Sequence, residues 1–191
     1  MIQSRSNNLR MKKKQTITIA GNGFVGGSIR DYMEEIGTRP LLYDPPQGHD
    51  DSSVFDRSDL VFIAVPTPYT ETGFDLKYVD AVMPLIKPDT LVVIKSTVLP
   101  GTTEAYQKQF PSIKLAFNPE FLTEKTARHD FKNPTRQIIG YTSQSKDDTD
   151  ALLELLPAAD FQTAIPATEA EMVKYMNNVF YATKVTFANQ M

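Results

Sequence analysis

A glycine-rich segment early in the chain carries the clearest chemical signal. Residues 21–26, Gly21-Asn22-Gly23-Phe24-Val25-Gly26, fit the pattern G-x-G-x-x-G. In such loops the first glycine permits a tight turn, the second lets the backbone approach a pyrophosphate, and the third lets a helix pack closely on a strand. The N-terminus of the following helix presents free N–H groups and a partial positive charge to the phosphates. These residues therefore predict a dinucleotide-binding loop.

An acidic residue further along the chain indicates which dinucleotide binds. Asp44 lies 23 positions after Gly21, directly after a second apolar run at 40–43. A carboxylate at this position accepts a hydrogen bond from a free ribose 2′-hydroxyl and repels a 2′-phosphate. We therefore predict NAD rather than NADP. The alternative is a strand–turn–helix corner without a ligand, which the flanking strand, the helix and the placed acid disfavour.

The elements that must position this loop alternate between strand and helix. Apolar runs predict strands at 16–20, 40–43, 59–65, 90–95, 113–117, 136–140 and 160–163, and helical spacing predicts helices at 25–36, 76–86, 148–156 and 167–191. We interpret the polar segment 45–57 as a loop, and the polar segment 96–103 as a loop that leads into a further helix. This order predicts an α/β fold: a Rossmann-type, doubly wound, mainly parallel sheet followed by a long C-terminal helix.

Polar residues follow several of these strands where each strand ends. Because ligands bind outside the carboxyl ends of parallel strands, we expect Pro66-Thr67-Pro68, Ser96-Thr97 and Asn118-Pro119-Glu120 to gather along one edge of the sheet. The residues that we predict to bind the cofactor from these segments are Gly21, Gly23, Phe24, Val25, Gly26, Asp44, Val65, Pro66, Thr67, Ser96 and Thr97.

Composition narrows the function classes. A net charge of -3 gives no basis for nucleic-acid binding, and no apolar run approaches the roughly 18 residues of a membrane span. Residues 1–14 are polar and basic without the apolar core of a signal peptide, so we expect a flexible leader and a cytoplasmic protein. The absence of cysteine excludes disulfides, thiolate metal sites and a thiol nucleophile within these residues, and we predict no metal site. We expect an NAD-binding domain at 15–166 and a long helix at 167–191.

Five segments, in one order, make the chain resemble the N-terminal half of the nucleotide-sugar 6-dehydrogenases, the UDP-glucose and GDP-mannose dehydrogenase family. They are GNGFVG, FIAVPTP with GFDLKYV, KSTVLPGTT, NPEFLTEKTARHDFKNPTRQIIG and EAEMVKYMNNVFYATKVTFANQM, spread over residues 16–191. The resemblance implies oxidation of a sugar C6 alcohol to a carboxylate with two NAD molecules, through an aldehyde and a thioester on a cysteine. The segment 133–136, Asn-Pro-Thr-Arg, is more similar to the UDP-glucose group.

The resemblance also implies roles for five residues of the chain. Thr97 would lie beside the reacting C6 and position a water or the hydroxyl, and Glu120 would be the acid/base of thioester hydrolysis. Glu124 would lie near the nicotinamide ribose and the substrate, and so belongs to both the catalytic and the cofactor-binding set. Lys174 would stabilise the developing oxyanion, and Asn178, four residues later on the same helix face, would bind the same oxygen. Without the resemblance, Glu120 and Lys174 would be read as surface charges and Thr97 as a helix cap.

Two departures from the family pattern shape the functional expectation. The family's nucleophilic cysteine lies in a C-terminal domain that these residues do not contain, and the segment between Asp44 and Asp59 is shorter than is usual in the family. We therefore expect this chain to bind NAD but not to turn over a nucleotide sugar unless a second domain completes the site. The alternatives are one subunit of a split enzyme, completed by a separate cysteine-bearing chain, and a non-catalytic NAD-binding or dimerisation module that pairs through 167–191.

Overall fold

Nine strands and six α-helices form the part of the chain that the structure, a computed structural model, describes: residues 15–71 and 73–191. The predicted leader at 1–14 lies outside these residues. The strands are β1 Ile17–Ala20, β2 Leu41–Tyr43, β3 Leu60–Ile63, β4 Tyr69–Thr70, β5 Gly73–Phe74, β6 Leu91–Ile94, β7 Lys114–Phe117, β8 Arg136–Tyr141 and β9 Phe161–Pro166. The helices are α1 Phe24–Glu35, α2 Lys77–Val82, α3 Thr102–Gln109, α4 Ala127–Lys132, α5 Thr149–Leu155 and α6 Ala167–Gln190.

Seven of the strands form one sheet in the order β2-β1-β3-β6-β7-β8-β9. Strands β2, β1, β3, β6 and β7 run parallel to one another, whereas β8 pairs antiparallel with β7 and parallel with β9. The prediction of a mainly parallel sheet is confirmed. Strands β4 and β5, which the sequence did not reveal, form a separate two-stranded antiparallel sheet.

Buried apolar residues on both faces of the sheet explain why helices cover both. One layer of the core joins alternate strand residues to α1, α4 and α5 through Ile29, Phe131 and Leu152. The other layer joins the opposite strand faces to α2, α3 and α6 through Val79, Tyr106 and Ala170. Strands buried on both faces read as continuous apolar runs, which is the pattern of β3 and β6. The doubly wound architecture is confirmed.

A predicted loop and a predicted helix end differ from the structure, for different physical reasons. The segment interpreted as a loop forms 3-10 turns at Pro45–Gln47 and Ser52–Arg57, and the second turn buries Phe55 edge-on against Tyr43 with ring centroids 5.0 Å apart. This turn has only two buried apolar residues, next to each other in the sequence, and two are too few to show a helical period. The helix predicted to reach 86 ends at Val82 and continues as a 3-10 turn, because Pro84 has no N–H to donate to the preceding turn.

Helix α6 begins directly after β9 and has two dissimilar parts. Its first turns bury Ala167, Ala170, Glu171 and Lys174 against the domain, whereas every residue from 178 to 191 is exposed. No helix in the described ranges combines the length and the apolar character that crossing a membrane requires.

Candidate functional site

The glycine loop joins β1 to α1 and is fixed by close backbone contacts. Gly21 has φ +88°, and a Cβ there would lie 2.5 Å from the carbonyl oxygen of Ala64 at the end of β3. A Cβ on Gly26 would lie 1.8 Å from the carbonyl oxygen of Gly21. At Gly23, in contrast, no atom lies within 4 Å of a Cβ position. The outer glycines therefore hold the loop against the sheet, and the middle one leaves open space for a ligand.

A cleft of about 620 Å³ opens in front of this loop. It lies outside the carboxyl ends of β1 and β3, where the strand order reverses, which is the usual ligand position in open α/β sheets. The predicted cofactor residues that line it are Gly21, Gly23, Phe24, Val25, Asp44, Val65, Pro66, Thr67, Ser96 and Thr97. Gly26 lies beneath the loop instead. The short 45–47 turn and Tyr78 complete one wall, and Lys95 and Glu120 line the cleft as well.

Asp44 connects the end of β2 to the glycine loop. Its Oδ2 accepts hydrogen bonds from the backbone N–H of Asn22 at 2.6 Å and from Nε2 of Gln47 at 2.9 Å. Its Oδ1 has no hydrogen-bond donor among the described residues. A partly exposed carboxylate with one oxygen anchored and the other available suits a ribose diol, so the residues present fit the NAD cofactor.

The loops after β3 and β6 are tied together by side-chain hydrogen bonds. Thr67 Oγ1 donates to the carbonyl of Thr97 at 2.7 Å, and Ser96 Oγ donates to the carbonyl of Val65 at 2.7 Å. The polar clusters that follow neighbouring strands do meet at one edge of the sheet, as their positions in the sequence predicted. These bonds leave the Thr97 side chain at the cleft and hold its backbone in place.

A buried ion pair involves Glu120, which lines the cleft. Lys174 Nζ on α6 lies 2.7 Å from Oε1 of Glu120, and the two side chains are only 8% and 10% exposed. The other oxygen, Oε2, accepts the backbone N–H of Leu122 at 2.8 Å. Neither residue is the surface charge that its type alone would suggest. Each buried charge depends on the other, because an unpaired charge in this environment is strongly destabilising.

Sequence reasoning missed Lys95 as a site residue. This lysine is 4% exposed, and its ammonium donates to Oδ1 of Asn118 at 2.6 Å, which ties the Thr97 loop to the Glu120 loop. Burial lowers the pKa of Lys95 to about 8, with Glu120 acting to raise it and Lys174 to lower it. A charged residue at the end of the apolar run 91–94 was the available signal, since lysine is rarely buried in a strand without a specific partner.

Two predicted catalytic residues lie away from the Thr97 end of the cleft. Glu124 is exposed and lines a neighbouring depression of about 550 Å³, which shares Gly23 and Phe24 with the cleft. Asn178 is exposed on α6, and its side chain has no hydrogen bond within the described part of the chain. The structure therefore brings together Thr97, Glu120 and Lys174 but not these two. The roles of Glu124 and Asn178 stay predictions.

The fold and the site together define a Rossmann-type domain with a dinucleotide-binding cleft. The family model described as "UDP-glucose/GDP-mannose dehydrogenase family, NAD binding domain" matches residues 46–156. The chain belongs to this family, and its cofactor is NAD. The match begins after the glycine loop, so the loop geometry supports the cofactor assignment independently of the matched region.

Curated relatives carry both nucleotide-sugar names. UDP-glucose 6-dehydrogenase of Rickettsia typhi is 40% identical over 154 residues, which is 73% of this chain and 35% of that protein. GDP-mannose 6-dehydrogenase of Pseudomonas putida is 38% identical over 153 residues, which is 70% of this chain and 34% of that protein. The chain therefore spans about a third of the length of these relatives.

Solved structures of similar proteins share the fold over most of this chain. A UDP-glucose dehydrogenase from Pyrobaculum islandicum superposes with a TM-score of 0.78 at 28% identity, covering 95% of this chain and 53% of that one. A ternary complex of GDP-mannose dehydrogenase from Pseudomonas aeruginosa gives a TM-score of 0.74 at 28% identity, covering 91% and 51%. Both similarities agree with the Rossmann-type architecture described above.

Proposed function

We propose that this chain is the NAD-binding part of a nucleotide-sugar 6-dehydrogenase that acts on UDP-glucose. The observation that supports it most is that the glycine loop, Thr97 and Glu120, the ion-pair partner of Lys174, line one cleft in a member of this family. The preference for UDP-glucose rests on the segment 133–136, since relatives of both names are similarly identical to this chain.

The proposed roles follow from what each side chain can do in its position. NAD, when bound, accepts a hydride from the alcohol carbon. Thr97 orients the reacting hydroxyl or a water, and Glu120 moves protons to and from it. Lys174 supplies positive charge to a developing oxyanion, and the same charge balances Glu120. Glu124 would contact the nicotinamide ribose, and Asn178 would bind the same oxygen as Lys174.

The proposed domain arrangement follows from the same reasoning. Residues 15–166 would be the NAD-binding unit, and the helix at 167–191 would lead towards the rest of the catalytic site. Because these 191 residues include no cysteine, thioester chemistry needs a cysteine from outside this sequence, in the same polypeptide or in another. The cytoplasmic location expected from the sequence stays a prediction.

Calorimetric titration of the purified chain with NAD and NADP tests the cofactor part of the proposal. We expect micromolar-range binding of NAD, weakened at least about tenfold by Asp44→Ala because the ribose loses its acceptor. Asp44→Asn should gain affinity for NADP, since the charge that repels a 2′-phosphate is removed. The exposed Asp56→Asn variant is the matched control and should bind like the wild type. Equal affinity of wild type and Asp44→Ala would overturn the assignment.

Turnover provides the second test. NADH formation from UDP-glucose, followed by absorbance, should be absent for this chain alone and should appear when a cysteine-bearing C-terminal half is added. Robust NADH formation by the chain alone would contradict the expectation that a second domain must complete the site. Two NADH per sugar would also contradict the requirement for an external cysteine, because only the step beyond the aldehyde uses a thiol. Equal turnover of GDP-mannose in the completed enzyme would contradict the choice of sugar.

The exposed face of α6 favours a second proposal, an association through this helix. Its large apolar side chains, each at least 43% exposed, include Met172, Met176, Val179, Phe180, Tyr181, Val185 and Phe187. An apolar surface of this extent is typical of an interface. The occupant would be a second copy of the chain, as in a dimerisation module, or a separate chain that carries the missing domain.

Sedimentation analysis distinguishes these occupants. If copies pair through α6, the wild type should be dimeric, and the double variant Phe180→Ser with Phe187→Ser should be monomeric. The exposed Thr186→Ser variant is the control and should leave the dimer intact. A monomeric wild type would exclude self-pairing and leave the separate chain as the occupant to test.

A further inference from the structure

Glu171 is a buried carboxylate that lies outside the predicted set of site residues. It lies on α6 three residues before Lys174, and none of its surface is exposed. Among the residues that the structure describes, it forms no ion pair. Burial raises the pKa of Glu171, whereas hydrogen bonds from Thr103 and Gly101 act in the opposite direction. A buried charge without a cation needs another source of stabilisation.

That stabilisation comes from the N-terminus of α3. Glu171 Oε2 accepts the backbone N–H of Gly101 at 2.6 Å, and Oε1 accepts the N–H and the Oγ1 hydroxyl of Thr103 at 2.7 and 2.6 Å. The first turn of a helix leaves N–H groups without partners inside the helix, and Gly101 at the N-cap has no side chain to accept them. Glu171 therefore caps α3 from a different helix, 68 residues further along the chain.

Through this contact, α6 links the loop that carries Thr97 to the loop that carries Glu120, at what we call the reaction end of the cleft. The segment 97–103 runs from Thr97 at the cleft directly to the residues that Glu171 holds. One turn later on α6, Lys174 holds Glu120. Residues three apart lie on the same face of a helix, so the rigid backbone of α6 sets the spacing of both contacts. A shift of α6 would move Lys174 and the Thr97 loop together.

We propose that Glu171 is a positioning residue that fixes the Thr97 loop relative to the Glu120–Lys174 pair. Its relevance to catalysis rests on the function proposed above for Thr97 and Lys174. The carboxylate is suited to this task because its two oxygens accept all three donors at once. In a glutamine, the amide nitrogen would face an N–H donor of Gly101 or Thr103.

Chemical labelling and hydrogen exchange of the full chain test the proposal without requiring turnover. We would measure acetylation of Lys174 by mass spectrometry, with the exposed Lys184 on the same helix as the internal reference. In Glu171→Gln, labelling of Lys174 relative to Lys184 should rise roughly tenfold, and amide exchange across 97–103 should rise similarly while β1 stays protected. The matched control is Glu169→Gln, an exposed glutamate on the first turn of α6, which should change neither.

A purely structural role predicts a different pattern. In that case Glu171→Gln would lower the unfolding temperature but leave the Lys174-to-Lys184 ratio at the wild-type value well below unfolding, and this result would overturn the proposal. If Glu171→Gln does not fold, Thr103→Val is the milder test, because it removes one donor and keeps the side-chain volume. It should give the same local pattern with a smaller amplitude, and wild-type labelling would again overturn the proposal.

The result stays distinguishable from a failure of the proposed function. If the wild type does not bind NAD while Glu171→Gln still increases Lys174 labelling, the cofactor assignment fails and the coupling through α6 stands. If NAD binds but the labelling ratio does not respond, the coupling fails and the cofactor assignment stands.

Discussion

At the glycine end of the cleft, backbone contacts fix the site, whereas at the other end buried charges fix it. Gly21 and Gly26 hold their loop because any side chain would collide with a carbonyl at 2.5 or 1.8 Å. Lys95, Glu120, Lys174 and Glu171 instead hold their loops through charge-assisted hydrogen bonds between 2.6 and 2.7 Å. The first end depends on shape and the second on charge.

This difference predicts different responses to substitution and to pH. Steric contacts of the backbone do not titrate, so the contacts of Gly21 and Gly26 should be insensitive to pH and intolerant of added volume. Buried charges are coupled through a medium of low dielectric constant. Removing one of them leaves its partner buried and unpaired, which lowers the free energy of unfolding. Single and paired substitutions at the two ends can therefore test this difference.

The largest effect is expected where one charge of a buried pair is removed. Lys174→Met leaves the 10% exposed carboxylate of Glu120 without its cation and should lower the free energy of unfolding by about 3–5 kcal/mol. Adding Glu120→Gln should recover most of this loss, because neither member of the Glu120–Lys174 pair is then left as an unpaired charge. Denaturant titration of both variants measures this coupling. Lys184→Met on the exposed part of the same helix is the control and should change stability by less than about 0.5 kcal/mol. Additive losses at 174 and 120 would show that charge does not fix this end.

A somewhat smaller loss is expected from added volume at the glycine end. Gly26→Ala places a methyl group 1.8 Å from the carbonyl oxygen of Gly21, so the loop must move, at a cost of about 2–3 kcal/mol. Gly27→Ala is a matched neighbour, since its Cβ would meet nothing closer than 3.9 Å. In the interior of α1, that change should instead stabilise the protein by about 0.5–1 kcal/mol. Thermal unfolding measures both variants. A loss of stability in Gly26→Ala together with a gain in Gly27→Ala would confirm that the close contact is the cause.

The same difference explains how much the sequence could predict. The glycine loop and Asp44 could be recognised because their constraints are local or lie at a known spacing along one βαβ unit. The partners at the other end are separated by 68 or more residues for Glu171 and by 23 for Lys95, so no pattern within a short window reveals them. Thr97, Glu120 and Lys174 were predicted only through the family resemblance. The burial of Phe55 and the role of Gly101 became visible only once the fold placed their neighbours.

The pH dependence of stability separates the two ends again, with a moderate effect. Burial lowers the pKa of Lys95 to about 8, below the ordinary lysine value of 10.5. Above pH 8 the unfolded chain therefore binds more protons at this residue than the folded protein does, and stability rises with pH up to the ordinary value. From pH 8 to 9.5 the gain should be about 2 kcal/mol. Denaturant titrations across this range should show the rise in wild type and a flatter profile in Lys95→Met. Equal slopes in the two proteins would assign the effect to other groups.

The smallest effect on stability is expected at Gly23, where the effect on binding should be large. No atom lies within 4 Å of a Cβ at this position, and the backbone there is extended with φ -74°, so Gly23→Ala should change the free energy of unfolding by less than about 0.5 kcal/mol. The methyl group would nevertheless occupy the space that the pyrophosphate needs, and NAD affinity should fall at least about tenfold. Gly27→Ala, one turn along the helix, should bind NAD like the wild type. Unchanged NAD affinity in Gly23→Ala would mean that the phosphates do not approach the loop at its open side. The cofactor would then not bind at the end of the cleft that backbone contacts fix, and the difference between the two ends would not correspond to a difference in function.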